Sequence, residues 1–246
     1  MLLQDKTAVL YGGGAITGAV AATFAQEGAR VFLAGRNEAK LQAIADRIGS
    51  ADIAVVDALD RDAVERHADT VLDATGTLDV SFNLISHDVL QGTPMVDMDA
   101  DDYVRPVQIA VRSLFLTATA AARRMAARDG GVILVFGGDG PPMPGYHFGG
   151  LQVVFAAMES MRRQIAAEYG RHGVRAVTLR TGGIGETIPA DLKSRDAITA
   201  AIDQATMLGR GAGLADVGHA AAFAASDRAA AMTAATINIS AGALVD

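Results

Sequence analysis

A chain of 246 residues, of which 50% are hydrophobic and 20% charged, is long enough to bury a sizeable core as one α/β domain or two small ones. Its net charge of −7 comes from interleaved acidic and basic residues, with no Lys/Arg cluster that would favour nucleic acid or an anionic membrane. There is no cysteine, which excludes disulfides and thiolate chemistry, and no apolar run approaches the ~20 residues of a membrane span. The opening MLLQDKTAVL lacks the features of a signal peptide, so we expect a cytoplasmic protein whose partners are small molecules and its own copies.

Short β-branched runs alternate with longer Ala-rich segments of helical period, a pattern that predicts parallel βαβ units. Strands are predicted at residues 7–11, 30–34, 52–57, 78–86, 131–138, 175–180 and 236–240, with helices between them. No Pro-, Gly- or Ser-rich linker divides the chain. The prediction is therefore one α/β domain over residues 1–246, a doubly wound (Rossmann) parallel sheet of seven strands with helices on both faces.

The segment between the first strand and the first helix reads GGGAITG, residues 12–18. Glycines at such a turn let the backbone approach a pyrophosphate, which the free N–H groups and dipole of the helix N-terminus then stabilise. We therefore predict that Gly12, Gly14 and Ile16 belong to a dinucleotide site. The alternative is a glycine-rich turn that serves packing alone.

Two charged residues follow the next two strands. Arg36 ends the second strand, where an acidic residue would bind a free ribose 2′-hydroxyl and a cation instead suits a 2′-phosphate. NADP(H) is therefore favoured over NAD(H), unless Arg36 is only a solvated charge at a helix start. Asp57 ends the third strand and is placed to accept a hydrogen bond from an adenine amino group.

Residues 185–211 are the least regular part of the chain. The segment follows a late strand, starts with glycines and carries short helical patterns, which is typical of a lid-like insertion over a substrate pocket. Glu186, at its start, is a candidate substrate contact. Thr187, beside it, is alternatively the cap of a following helix.

The order of GGGAITG, EGARVFLAGR, DVSFNLIS, GGVILVFGG, HGVRAVTLRTGGIGET and ASDRAAAMTAATINISAGALVD resembles the short-chain dehydrogenase/reductase family over essentially the whole chain. The most specific pieces are EGA after the first helix, GVR entering the sixth strand, and the ASD and INISAGALVD ending. The resemblance implies a nicotinamide cofactor across the C-terminal strand ends and a homodimer or homotetramer built on the long helices. It also implies that Asn83, Ile184 and Thr187 lie at the cofactor. No metal site is predicted.

The same resemblance implies catalytic residues that this chain does not have. The family uses a Tyr as general acid/base, a Lys four residues later on the same helix face, a Ser that orients the carbonyl and an Asn in a proton relay. Counted from the flanking motifs, the Tyr and Lys positions fall on Leu151 and Phe155, the Ser position on Gly138 and the Asn position on Ala110. None of these four side chains can carry a proton.

The glycine turn departs from the family pattern too, and two registers are open. Aligned from the strand, Ile16 stands at the middle glycine and Gly18 at the last; aligned from EGA, Ala15 and Thr17 stand there. A side chain in a closely approached turn takes space, so we expect the cofactor affinity to suffer. The three glycines at 12–14 leave the loop free to readjust.

A proton or a hydrogen-bond donor must come from elsewhere if the chain is an oxidoreductase. The candidates are Tyr146 and His147, just before the helix of Leu151, and His87, just past the fourth strand. Histidine suits proton transfer at neutral pH. Alternatively, His147 is a plain loop residue or substrate contact, and Tyr146 closes the pocket with its ring. Asp139 is a further candidate, or the cap of a turn.

Two classes of function remain open on this basis. The first is an atypical NADP(H)-dependent reductase or dehydrogenase of a small apolar carbonyl or enone, with a non-standard proton donor. The second is a redox-silent protein that binds a ligand or catalyses a non-redox isomerisation, cyclisation or elimination in the same pocket. The retained Arg36, Asp57, Asn83 and Thr187 favour the first class, which we prefer, whereas the joint loss of the catalytic residue types favours the second.

Overall fold

The computed structural model describes residues 1–128, 130–138 and 146–245, so the candidate Asp139 lies outside the described residues. Within them lies a parallel sheet of seven strands in the order β3-β2-β1-β4-β5-β6-β7. The strands are β1 Thr7–Tyr11, β2 Arg30–Gly35, β3 Ala51–Val55, β4 Val80–Asn83, β5 Gly131–Gly137, β6 Val174–Arg180 and β7 Ala235–Asn238. The doubly wound seven-stranded sheet predicted from the sequence is confirmed.

Helices cover both faces of this sheet. They are α1 Ala15–Gln26, α2 Glu38–Ile48, α3 Arg61–Thr75, α4 Ala100–Ala126, α5 Leu151–Tyr169, α6 Arg195–Gln204 and α7 Leu214–Ala225. One apolar core joins the sheet to α3, α4 and α5, and a second joins it to α1, α2 and α7. Each core takes alternate residues of the central strands: Val9 and Tyr11 face the first, Ala8 and Leu10 the second. No helix among the described residues is long and apolar enough to cross a membrane.

Local sequence sets where the helices begin and end. Asn37 caps α2, since its side chain accepts a hydrogen bond from the N–H of Lys40, and Asp60 caps α3 in the same way. Gly49 ends α2 in the left-handed conformation that glycine adopts without strain. Helix α1 differs, because its cap is Gly14 and has no side chain to satisfy the first N–H groups.

Four strands end earlier than the sequence pattern indicates, β5 by one residue at Gly137 and β7 by two at Asn238, besides β3 and β4. β3 stops at Val55 rather than residue 57, because Asp57 turns the chain by accepting a hydrogen bond from the N–H of Leu59 at 2.9 Å. β4 stops at Asn83 rather than residue 86, because the Asn83 side chain accepts the N–H of Ile85 at 3.1 Å. Both turns bring the following residues to the carboxyl edge of the sheet.

Candidate active site

A cleft of about 730 Å³ opens at the carboxyl ends of β1 to β5. The strand order reverses between β1 and β4, and in open parallel sheets ligands bind at such a switch point. Its walls come from the turn after β1, the ends of β2 and β3, the segment after β4, and the first turns of α5. Positively charged residues line one end, and apolar side chains line the other.

The turn after β1 requires a glycine at its first position. Gly12 has φ +140°, and a Cβ there would lie 2.6 Å from the Leu84 carbonyl oxygen and 2.8 Å from the Thr17 hydroxyl. A Cβ at Gly14 would meet nothing within 4 Å. The N-terminus of α1 therefore lies uncapped beneath an open backbone turn, an arrangement that suits an anion.

Thr17, and not Gly18, faces this turn. Gly18 instead faces α2, where a Cβ would lie 2.7 Å from the guanidinium of the exposed Arg47 and 3.6 Å from Ile44. The last glycine of a dinucleotide turn allows close packing of helix and strand, and Thr17 takes that place. This geometry favours the register in which Ala15 and Thr17 replace glycines. Ile16 is half-buried and lines the cleft.

The hydroxyl of Thr17 is a feature that the sequence did not single out. Thr17 is 1% exposed, and its Oγ1 has no hydrogen-bond partner among the described residues. A buried hydroxyl without a partner costs about 1–3 kcal/mol. The signal for it in the sequence is weak, because Thr17 is one of two threonines, with Thr23, on the buried face of α1.

Two cations and one carboxylate line the end of the cleft near β2 and β3. Arg36 follows β2 and Lys40 lies in the first turn of α2; both are exposed, and neither cationic group has an ion-pair partner in the described part of the chain. Lys40 is not among the residues predicted from the sequence, although it follows Arg36 by four residues. Asp57 also lines the cleft, with one oxygen held by the N–H of Leu59.

Asn83 connects β4 to α4. It is 3% exposed; its amide donates to the hydroxyls of Ser113 at 3.3 Å and Thr117 at 3.1 Å, while its carbonyl oxygen accepts the N–H of Ile85. Although Asn83 borders the cleft, these bonds occupy its amide and its oxygen. Its role in this structure is to position the segment after β4.

The two predicted cofactor residues near the start of the lid-like segment lie in different environments. Ile184 is 5% exposed and belongs to the core around α1 and α7, away from the cleft lining. Thr187 lines the cleft and donates a hydrogen bond to the Ile184 carbonyl oxygen at 2.8 Å. Glu186, between them, accepts the N–H of Leu214 at 2.6 Å and so caps α7.

The positions where the family resemblance implies catalytic residues hold no polar side chain, and apolar side chains surround them in the structure. Leu151 and Phe155, one turn apart on α5, both line the cleft. A Cβ at Gly138 would lie 2.7, 3.2 and 3.2 Å from three carbons of the Phe155 ring. Ala110, a residue of α4, is fully buried in the core that this helix shares with α3 and α5. The ring of Phe155 thus occupies the space that a side chain at position 138 would need.

Of the three predicted proton donors, His87 is the one that lines the cleft as described. It is half-buried, and its Nε2 has no hydrogen-bond partner in residues 1–128, 130–138 and 146–245. Burial lowers the pKa of His87 to about 4, although the neighbouring Asp88 carboxylate acts in the opposite direction. His87 is therefore neutral at pH 7.

Tyr146 and His147 lie just before α5, and both side chains are exposed. The Tyr146 ring stacks on that of Phe148, with the centroids 4.9 Å apart. The carbonyl oxygen of His147 accepts the N–H of Gly92 at 2.8 Å and so joins this segment to the loop after β4. Neither side chain is part of the described lining of the cleft.

Comparisons with known proteins agree on the fold. A family model described as enoyl-(acyl carrier protein) reductase matches residues 13–243. The uncharacterised oxidoreductase YxbG of Bacillus subtilis (strain 168) is 28% identical over 187 residues, which are 74% of this chain and 68% of the relative.

Two solved structures are also similar. A short-chain type dehydrogenase/reductase from Mycobacterium ulcerans has a TM-score of 0.87 at 25% identity, covering 99% of this chain and 91% of the other. An enoyl-(acyl carrier protein) reductase from Anaplasma phagocytophilum, in complex with NAD, has a TM-score of 0.84 at 21% identity, covering 99% and 95%.

Proposed function

The chain belongs to the short-chain dehydrogenase/reductase family, and from that premise we propose that it is an atypical NADP(H)-dependent oxidoreductase of a small apolar carbonyl or enone. The observation that carries the proposal is the charged end of the cleft. There, Arg36 and Lys40 stand without ion-pair partners among the described residues, beside the uncapped N-terminus of α1.

The residues present fit a nicotinamide dinucleotide. Gly12 lets the turn pack closely against Leu84 and Thr17, the backbone at Gly14 is open, and the first N–H groups of α1 would hold the pyrophosphate. Arg36 and Lys40 would hold a 2′-phosphate, and Asp57 has a carboxylate oxygen for the adenine. Thr17 makes the turn narrower than a glycine would. When bound, NADPH supplies a hydride.

His87 supplies the polar group at the substrate end. A neutral imidazole carries one N–H, which can donate a hydrogen bond to a carbonyl oxygen and stabilise negative charge that develops there. Because the pKa of His87 is about 4, the imidazole is a weak proton source at pH 7, and the proton comes from solvent. Leu151 and Phe155 keep the rest of this end apolar.

The proposal extends to the lid and to the assembly. We propose that residues 185–211 cover the substrate, since Thr187 in this segment borders the cleft. We also propose a cytoplasmic homodimer or homotetramer that forms through the long helices. Phe115 on α4 is 46% exposed and offers apolar surface for such a contact.

A redox-silent function is the second candidate, and one observation favours it. Every position where the family resemblance implies a proton-carrying group holds an apolar side chain or none, at Ala110, Gly138, Leu151 and Phe155. A cleft of this kind can bind an apolar ligand without turnover, or serve a reaction that needs no hydride.

A fluorescence titration of NADPH and NADH separates the two candidates. We expect micromolar binding of NADPH, a loss of roughly 10- to 100-fold for Arg36→Leu or Lys40→Leu, and little change for NADH. Arg66→Leu, an exposed cation on α3 outside the described lining, is the matched control. Oxidation of NADPH that depends on a carbonyl or enone would exclude the redox-silent candidate. Absence of NADPH binding at millimolar concentration would exclude the oxidoreductase.

A further inference from the structure

Phe155 and Gly138 fit each other as an interlocked pair. The three short distances from a Gly138 Cβ to the ring, 2.7, 3.2 and 3.2 Å, are all below an ordinary carbon–carbon contact of about 3.5–4.0 Å. The ring therefore lies close to the backbone after β5, in a position from which it would have to shift if residue 138 carried a side chain.

The contact with Gly138 holds one face of the Phe155 ring, while another part of the Phe155 side chain lines the cleft. Phe155 is half-buried and packs against the core shared by α3, α4 and α5, while it also lines the cleft. Ile109, Phe136 and Leu151 line the same end. The side chains of this wall have no hydrogen-bonding group, and two of them are aromatic.

We propose that Phe155, held in place over Gly138, is the specificity-determining residue of this cleft, and that it selects carbonyl substrates bearing a flat aryl or conjugated group. The inference rests on the proposed function and goes further by naming the substrate class. Aromatic rings attract one another beyond the effect of buried area, by roughly two- to tenfold in affinity for a single pair.

Saturated and hydroxylated carbonyl compounds are disfavoured for two different reasons. A saturated ring of the same size buries similar area but lacks the π system that Phe155 contacts. A hydroxyl placed against Leu151 or Phe155 loses its hydrogen bonds to water and gains none, which lowers affinity by roughly 5- to 100-fold.

The test compares two ketones of similar size, acetophenone and cyclohexyl methyl ketone, on the full-length protein. The readouts are kcat/KM from NADPH oxidation and, independently, the dissociation constant of each ketone from equilibrium dialysis without turnover. We expect the native protein to prefer acetophenone two- to tenfold by both measures. In Phe155→Leu the ratio of the two ketones should fall clearly below the native ratio, whatever the absolute rates, while Phe136 still leaves one aromatic ring in the wall.

Phe148→Leu is the matched control, because this ring stacks on Tyr146 and is absent from the described cleft lining. It should keep the native ratio. The proposal is overturned if the native protein binds both ketones equally or binds neither, or if Phe155→Leu keeps the full native ratio. Failure of either ketone to oxidise NADPH would count against the proposed function, whereas the dialysis ratio still decides the role of Phe155.

Discussion

Replacing Gly138 with alanine tests the interlocked pair directly through stability. The added methyl carbon would lie 2.7–3.2 Å from three Phe155 ring carbons, so the ring must shift by about 0.5–1 Å to restore normal contact. Overpacking of this kind costs about 1–3 kcal/mol. Alanine also raises the unfolding free energy by about 0.4–1 kcal/mol, because it reduces the conformational entropy of the unfolded chain. This gain applies here because Gly138 does not have a positive φ, so alanine can adopt its backbone conformation. Gly138→Ala should therefore lower the unfolding free energy by about 1 kcal/mol.

The same substitution should behave differently once the ring is absent. In a Phe155→Ala background no ring carbon remains near position 138, so Gly138→Ala should be neutral or should stabilise the protein by about 0.5 kcal/mol. The coupling energy between the two positions is then about 1–1.5 kcal/mol, within the range found for residues in contact.

The assay is equilibrium unfolding in urea, followed by circular dichroism, for the native protein, both single variants and the double variant. Equal m-values across the four proteins would show that the comparison is between similar unfolding transitions. If the two single effects add to the double effect within about 0.5 kcal/mol, the side chains do not interact and the interlocked pair is refuted.

Three other predictions concern buried polar groups. Both ring nitrogens of His67 lack partners among the described residues and burial lowers its pKa, so His67→Leu should raise the unfolding free energy by about 1 kcal/mol at pH 7. A histidine whose pKa is lowered in the folded state destabilises the native protein as pH falls below about 6.5, because the unfolded chain then binds the proton more readily. The difference in unfolding free energy between His67→Leu and the native protein should therefore grow from about pH 7 to about pH 5, and a constant difference would contradict this. Thr17→Val should stabilise the protein by about 1 kcal/mol in thermal unfolding, because it removes a buried hydroxyl that has no hydrogen-bond partner among the described residues. A loss of stability would show that the hydroxyl does have a partner. Glu159→Gln should lower the unfolding free energy, measured in urea, by about 3 kcal/mol, because Arg162, 3% exposed, would lose the carboxylate that lies 2.5 Å away. The double variant Glu159→Leu, Arg162→Met should recover most of that stability. An equal loss in the single and the double variant would count against the ion pair.

The carboxylate of Glu159 shows how such a buried pair holds its charge. Burial alone would raise the pKa of Glu159, but hydrogen bonds from Thr178 and Arg162 outweigh it and keep the pKa below its usual value. A further bond comes from the Thr236 hydroxyl at 3.3 Å. The side chain therefore stays ionised at neutral pH and ties α5 to the neighbouring strands β6 and β7.

The fold could be predicted because its signals are local. Each strand is a short apolar run, and the caps of α2 and α3 at Asn37 and Asp60 are adjacent to the N–H groups they accept. The strand ends at Val55 and Asn83 were missed, because Asx-type turns there compete with the strand pattern and propensity does not resolve them.

The candidate site was less predictable, because it depends on contacts between distant segments. Nothing in the spacing of residues 138 and 155 shows that a ring on α5 rests on the backbone after β5. Asn83, predicted as a cofactor residue, borders the cleft, and the sequence does not show that its amide also donates to hydroxyls of α4. Tyr146, His147 and His87 were all predicted as candidates, but the sequence does not show which side chains face the cleft, and of the three His87 is in its described lining.

The contact between Phe155 and Gly138 also constrains how this sequence could change over evolutionary time. A serine that arrives at position 138 first meets the ring and destabilises the protein, so that order of substitution is selected against. Losing the ring first opens a hole with no immediate benefit. Each step towards a proton-relaying site is therefore unfavourable by itself. Descendants of this chain are therefore expected to keep both Gly138 and Phe155 or to change the two positions together.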